Sequence, residues 1–412
     1  MNYRNNKIKS RKIKIVILAI ICCSIATWAF AKQISKTSLA NSPWPKFRAD
    51  ARNSSLGSGS GAKGIIKWTF KAKENINGSI AIGKNNTLYF SSLDGNMYAV
   101  DSKTGKKKWS FSGKFTSSTP AIAEDGTLYN CSEDGNLYAL NGKTGKLLWK
   151  FKSGGSNRYS PTIGANKKVY FTSTNGLLYA INGNNGKKLW HFTPNKLLGR
   201  IVRINDAAHL QYDVAIGLNN VIYASAGDGT VYAINGTTGK EIWSSNVGGS
   251  IMSPAIGSDG SIYIAGSYYD LKSKKPSGIK ICALSSKNGS IKWKTYVKGR
   301  MCKYPAIGPD GSVFVGVGMM PGGRLVALDG KTGKLKWEFK TGQLHYAPAI
   351  ASDGTIYVCG GDSSEKVIAV NGKTGQKKWE LLVNSSLNCS AAIDSDGTIY
   401  MGSMKGVLYA IR

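Results

Sequence analysis

Four short clusters set phenols beside cations at one recurring place in the chain: Arg158-Tyr159, Gln211-Tyr212-Asp213, Lys303-Tyr304 and His345-Tyr346. Three of the four run directly into a stretch of the type Ser-Pro-Thr-Ile or Pro-Ala-Ile, the fourth into Val-Ala-Ile. Tyrosine supplies rigid contact area with a polar end, and the adjoining Arg, Lys and His favour an anionic group or a peptide backbone. This is binding chemistry. Asp213 is the only acid of the set, too few for paired-carboxylate catalysis or a hard-metal site, so no catalytic residue and no metal ligand is assigned. His191, His209 and His345 lack metal-ligand spacing, and no Gly-x-Ser-x-Gly elbow is found on a strand-to-helix turn. The competing reading is that the tyrosines plug a wide channel.

A repeat positions these clusters. Trp68, Trp109, Trp149, Trp190, Trp243, Trp293, Trp337 and Trp379 follow one another at gaps of 41, 40, 41, 53, 50, 44 and 42 residues. Between them recur a small-residue start, a Gly-Thr-Ile-Tyr strand, a Tyr-Ala-Leu strand and an Asn-Gly-Lys-Thr-Gly-Lys turn. Asp-Gly pairs such as Asp125-Gly126 and Asp134-Gly135 supply the positive φ of two-residue hairpins. A period in the forties made of four short strands predicts an all-β propeller of four-stranded antiparallel blades. A buried tryptophan covers roughly 150 to 250 Å², at about 25 cal/mol per Å² an upper bound of about 4 to 6 kcal/mol, which reads as glue between blades.

Closure follows from counting. Strand B is marked eight times, by Tyr89, Tyr129, Tyr170, Tyr223, Tyr263, Phe314, Tyr357 and Tyr400, yet the chain stops at Tyr409-Ala410-Ile411-Arg412 without an eighth tryptophan strand. Trp68 precedes the first strand A. Joining the two remnants gives eight blades, with the strand around Trp68 paired to the strand at Leu408 and no free edge. The expected organisation is 1–31 as a signal peptide or membrane anchor, 32–61 as a flexible Ser/Gly-rich lead, and 62–412 as the ring.

The amino terminus places six cations before the apolar run Ile15 to Ala31, with Ala29-Phe30-Ala31 as small residues for cleavage, which is an export signal by composition. The net charge of +32 less those six leaves +26 for the remainder. An exported protein so basic is drawn to anionic polymers or lipid headgroups, and nucleic acid is the wrong partner for that compartment; Lys103, Lys106, Lys143, Lys331 and Lys373, however, also read as an ordinary solvated surface. Five cysteines follow the signal. Cys131, Cys282 and Cys359 occupy small or apolar repeat positions, while Cys302 and Cys389 stand just before strand A; no disulfide framework is expected.

The run Ala-[Leu/Ile/Val]-[Asp/Asn]-x-x-[Thr/Asn]-Gly-x-x-x-Trp, as in Ala99 to Trp109, Ala139 to Trp149, Ala327 to Trp337 and Ala369 to Trp379, resembles the repeat of the pyrroloquinoline quinone (PQQ) propeller superfamily. The lead-in Trp44-Pro45-Lys46-Phe47-Arg48-Ala49-Asp50 looks like the segment that often precedes it. The resemblance implies eight blades. It spans quinone-dependent dehydrogenases and non-catalytic members such as the lipoprotein of the β-barrel assembly machinery. The enzymes are implied to hold PQQ between a tryptophan floor and adjacent cysteines, with calcium on acidic and amide ligands. Here the only adjacent cysteines, Cys22 and Cys23, lie in the signal, and the tryptophans outside the repeat, Trp28 and Trp44, precede the ring. No catalytic residue of the family carries over, and no cofactor is expected.

The A–B and C–D turns share one face of a propeller and the B–C and D–A connections share the other. Extra residues fall at Thr193 to Tyr212, Tyr268 to Gly278, Met319 to Gly323 and Gly361 to Lys366, all on the second face. The expectation is therefore an exported, extracytoplasmic, monomeric ring, secreted or attached to the envelope through its N-terminal segment, that binds a protein or an anionic envelope polymer through this face without catalysis. The alternatives are a PQQ-dependent dehydrogenase with an atypical pocket and calcium, and an electrostatic cell-wall binder.

Overall fold

The computed structural model describes residues 37–194, 209–270, 275–319, 322–342, 346–360, 365–387 and 389–412. The expected signal segment, His345, and most of the 193–212 insertion lie outside the described residues. The described chain forms eight antiparallel sheets, each built outward from a strand A to a strand D. Blade 2 is representative, with strands Ala121–Ile122, Thr127–Cys131, Asn136–Asn141 and Leu147–Lys152. Its strands A and B are wholly buried and strand C is buried up to Asn141, while strand D alternates exposed and half-buried residues, as an outermost strand facing water on one side should. The fold is an eight-bladed β-propeller.

The closing blade joins the two ends of the chain. Ala392–Ile393, Ile399–Gly402 and Val407–Ile411 supply strands A to C, and Ile66–Lys71 supplies strand D, with Trp68 opposite Ala410 and Phe70 opposite Leu408. The register is that of every other blade, where an alanine of strand C faces the tryptophan: Ala99 with Trp109, Ala139 with Trp149, Ala369 with Trp379. No blade is left with an open outer edge.

Seven of the eight repeat tryptophans bond forward to the next blade, while Trp190 Nε1 is buried without a hydrogen-bond partner. Trp109 Nε1 donates to Gly142 O at 3.0 Å, and Tyr89 Oη donates to the same carbonyl at 3.0 Å. Trp379 Nε1 reaches Ala62 O at 2.7 Å and Trp68 Nε1 reaches Ser102 O at 3.1 Å, carrying the pattern across the seam. The recurring Thr-Gly-Lys turn follows from this contact. Gly145 holds φ 73°, and a Cβ there would stand 2.8 Å from the ring of Trp109, so only glycine lets the turn sit flat on its neighbour.

Residues 37–61, expected as a flexible lead, are packed into the ring instead, and the physical reason is the inner edge of eight sheets. With no fifth strand, the isoleucine N–H that ends each strand A needs an acceptor. The segment supplies carbonyls in sequence: Trp44 O to Ile82 N at 2.7 Å, Pro45 O to Ile122 N at 2.9 Å, Ala51 O to Ile216 N at 2.7 Å, Arg52 O to Ile256 N at 3.0 Å, Ser54 O to Ile307 N at 2.9 Å and Ser55 O to Ile350 N at 2.8 Å. It thereby closes the axis on the A–B/C–D side, with Trp44, Lys46 and Arg48 fully buried.

Candidate binding site

Above this plug the axis stays open on the B–C/D–A side as a cavity of about 250 Å³. The residue just ahead of each small-residue start points to the axis: Ser79, Thr119, Ser160, Asp213, Ser253, Tyr304 and Ser390 hold equivalent places. Adjacent blades are linked through them. Ser390 N donates to Ser79 Oγ at 3.1 Å, Thr119 N to Ser160 Oγ at 3.0 Å, Ser160 N to Asp213 Oδ1 at 2.6 Å and Asp213 N to Ser253 Oγ at 3.1 Å.

The cavity brings together much of the sequence-derived set. Arg158, Tyr159, Asp213, Tyr304 and Tyr346 line it, with Asn77, Ser79, Ser117 and Thr119 completing the polar side. Tyr212 belongs to the same cluster: its ring stands edge-on to Tyr159 at 5.3 Å and to Tyr304 at 6.2 Å. Tyr212 is held at φ 72°, a left-handed conformation that costs a non-glycine residue roughly 1–2 kcal/mol. Strain kept beside a cavity is a reason to look for function there. Lys303 is half-buried outside the cavity lining, its N–H bound to Gly316 O at 2.8 Å. Gln211 holds a strand register opposite Ser225, and His345 falls outside the described residues.

The plug contributes residues that the sequence did not mark as part of the site. Phe47 floors the cavity and meets Tyr304 edge-on at 5.6 Å. Beneath it Arg48 Cζ lies 5.4 Å from the Tyr304 ring, and its guanidinium donates to Pro305 O and, at 3.4 Å, to Pro254 O. Lys46 Nζ donates to Asn53 Oδ1 at 2.6 Å and Phe47 O at 2.7 Å. Burial lowers Lys46 to about 8 and Arg48 to about 10, both opposed by the charge of Asp213. Burial likewise raises Asp213 above the usual carboxylate range, against Lys46 and Arg48. With 4% exposure, Asp213 is buried, and its charge acts on Lys46 and Arg48 through space, without a direct ion pair to either. A signal was present in the sequence: a flexible linker has no use for Trp44, Phe47 and two cations spaced to alternate.

Burial pushes the Tyr159 phenol up to about 12, and raises Tyr304 and Tyr346 as well. The phenols thus remain hydroxyls, available as donors, at any physiological pH. The chemistry offered is aromatic contact, neutral hydroxyls and a cationic floor. It does not match a quinone and calcium. Among the described residues no three His, Cys, Asp or Glu side chains gather as a metal site, the five cysteines are free and buried, and Trp44 packs against Ile82 within the plug rather than across the cavity.

The family profile described as "Outer membrane protein assembly factor BamB" matches residues 52–295 and 280–412, nearly the entire ring. The chain belongs to this family. Among BamB proteins it is 29% identical to that of Burkholderia pseudomallei over 127 residues, covering 31% of this chain and 29% of the relative. It is 32% identical to that of Salmonella typhimurium over 93 residues, covering 22% and 23%. These matches span less than a third of each curated relative. By shape, the chain is similar to BamB from Moraxella catarrhalis, with TM-score 0.66, 17% identity and coverage of 84% and 99%. It is also similar to the quinohemoprotein alcohol dehydrogenase of Comamonas testosteroni, with TM-score 0.69, 13% identity and coverage of 91% and 81%. At such identities the two structures show a shared fold alone, and activity has to be argued from the site.

Proposed function

We propose that this protein is an extracytoplasmic, non-catalytic propeller that captures a protein partner on its B–C/D–A face, with the tyrosine-lined axial cavity as the centre of contact. The observation that carries the reading is the asymmetry of the ring. One end of the axis is closed by the plug; the other is open and aromatic, on the face to which the sequence repeat assigns the insertions. Interfaces of this kind use Tyr and Arg as anchors and variable loops on a rigid frame for selectivity. Membership of a family described as an assembly factor supports a scaffold. The cation-rich, apolar start of the chain supports export to the envelope.

The test is a triple variant, Tyr159→Ala, Tyr212→Ala and Tyr346→Ala, used as bait in envelope extract beside the unaltered protein. The reading expects the principal retained protein to be lost while cooperative unfolding survives. Equal capture by both baits would refute it. A quinone dehydrogenase is the competing activity, and dye reduction by the purified protein supplied with PQQ and calcium would reveal it.

A further inference from the structure

The opposite face carries a second surface. Eight C–D turns lie on the A–B/C–D rim, the eighth formed where residues 61–64 complete the closing blade. Because alanine faces tryptophan in the same register in every blade, the turns stand at one height around the ring. Three turns carry two exposed lysines, Lys103 with Lys106, Lys143 with Lys146 and Lys331 with Lys334, and the other five carry one each, eleven in all.

These ammonium groups are left unneutralised. Among the described residues none of the eleven enters an ion pair. Four carboxylates on the same face are already engaged: Asp125 pairs with Lys167 at 2.5 Å, Asp310 with Lys336 at 3.0 Å, Asp353 with Lys378 at 3.5 Å and Asp259 with Lys292 at 3.8 Å. The loops are also pre-set in shape. Asp329 Oδ1 accepts the N–H of Lys331 at 3.1 Å and of Thr332 at 2.8 Å, and Asn141 Oδ1 accepts those of Lys143 and Thr144 at 3.0 Å. A rigid, level annulus of positive charge matches a flat anionic surface better than it matches a single polymer strand, which a groove would track.

The chain also enters the ring on this face. Ser38 N donates to Gly164 O at 3.0 Å and Glu124 N donates to Ser38 O at 3.0 Å, both in A–B turns. The described chain therefore begins, at residues 37 and 38, on the lysine side. We propose that the lysine crown seats the propeller on the anionic phospholipid headgroups of a membrane, turning the axial cavity away from the lipid. Near an anionic bilayer each lysine contributes about fivefold in affinity, and the attraction falls off within a Debye length, which added salt shortens.

The test uses the full chain with vesicles of phosphatidylglycerol and phosphatidylcholine at 1:3, and of phosphatidylcholine alone. Amine acetylation is read lysine by lysine. On the anionic vesicles the crown lysines should label at least ~fivefold more slowly, an effect removed by high salt, while the opposite-rim lysines Lys73, Lys114 and Lys298 label unchanged. Replacing Lys103, Lys106, Lys143, Lys146, Lys331 and Lys334 with glutamate takes the crown from +11 to −1 and should abolish the preference for anionic vesicles. The same exchange at Lys73, Lys114, Lys152, Lys298, Lys340 and Lys405 should leave it intact, and matching thermal unfolding of both variants excludes misfolding. Equal protection of both rims, equal effects of the two variants, or protection by soluble polyphosphate and not by vesicles would overturn the proposal.

Discussion

Replacing Asp213 by asparagine isolates the charge that balances the plug. The amide keeps an oxygen to accept the Ser160 N–H, bound at 2.6 Å, so geometry is retained while Lys46 and Arg48, both fully buried, lose their shared counter-ion. Breaking a direct buried ion pair costs about 3–5 kcal/mol, because the remaining charge is left uncompensated; Asp213 acts through space, which places its loss at the lower end of that range. Asp50, held by Arg52 at 2.9 Å, offsets a part, so about 3 kcal/mol is expected at pH 7 from urea unfolding with an unchanged slope. The loss should depend on pH. Lys46 at about 8 folded, against 10.5 unfolded, binds fewer protons in the folded state between those values, so stability rises with pH across that window. Without Asp213 the folded value drops below 8 and the window opens earlier, so the deficit shrinks as pH climbs toward 8. Exchanging Lys46 for methionine in the same background should recover part of the loss. A deficit under 1 kcal/mol, or one that grows with pH, would refute the counter-ion argument.

Three further outcomes are expected. Trp68→Ala should cost about 3 kcal/mol, as much as Trp149→Ala in an ordinary blade, since both indoles donate to a next-blade carbonyl at 3.1 Å and pack on a strand-B tyrosine; less than half that cost would make the closing strand peripheral. Tyr212→Gly should be more stable than Tyr212→Ala by about 1 kcal/mol, because glycine alone is at ease at φ 72°, and equal unfolding midpoints would show that the backbone there is free to relax. Cys131, Cys282, Cys302, Cys359 and Cys389 should resist a thiol reagent in native buffer and react after unfolding, as burial leaves each at most 5% exposed and raises its pKa; rapid native labelling would contradict their placement.

The ring was legible because its signals are local and repeated. Asp-Gly pairs mark hairpins, the Thr-Gly-Lys glycine sits under an indole, and the missing last tryptophan strand announced its substitute at Trp68. The cysteine positions followed the same logic: Cys359 Sγ donates to Cys389 O at 3.3 Å where Ser91 Oγ donates to Ser118 O at 2.9 Å and Ser225 Oγ to Met252 O at 2.9 Å, a bond between blades in which a thiol replaces a hydroxyl. The plug escaped notice because its partners are backbone N–H groups of six different blades, a requirement of ring closure that no single repeat displays. Its Ser/Gly-rich end suggested a tether, and those small residues are needed for close approach: a Cβ at Gly57 would stand 2.9 Å from Ile393. The sequence places Asp213 in the binding set without its link to the plug for the same reason, since Lys46 and Arg48 lie more than 160 residues away in sequence.

The open face is proposed as the one that meets a partner. A photo-reactive phenylalanine analogue placed in turn at Tyr159, Tyr346 and Tyr296 on that side, and at Thr104, Thr144 and Thr332 on the crown, tests this in living cells. Cross-links to one envelope protein from the first three positions and none from the other three are the expected result. The same protein cross-linked from the crown, with silence around the cavity, would contradict it.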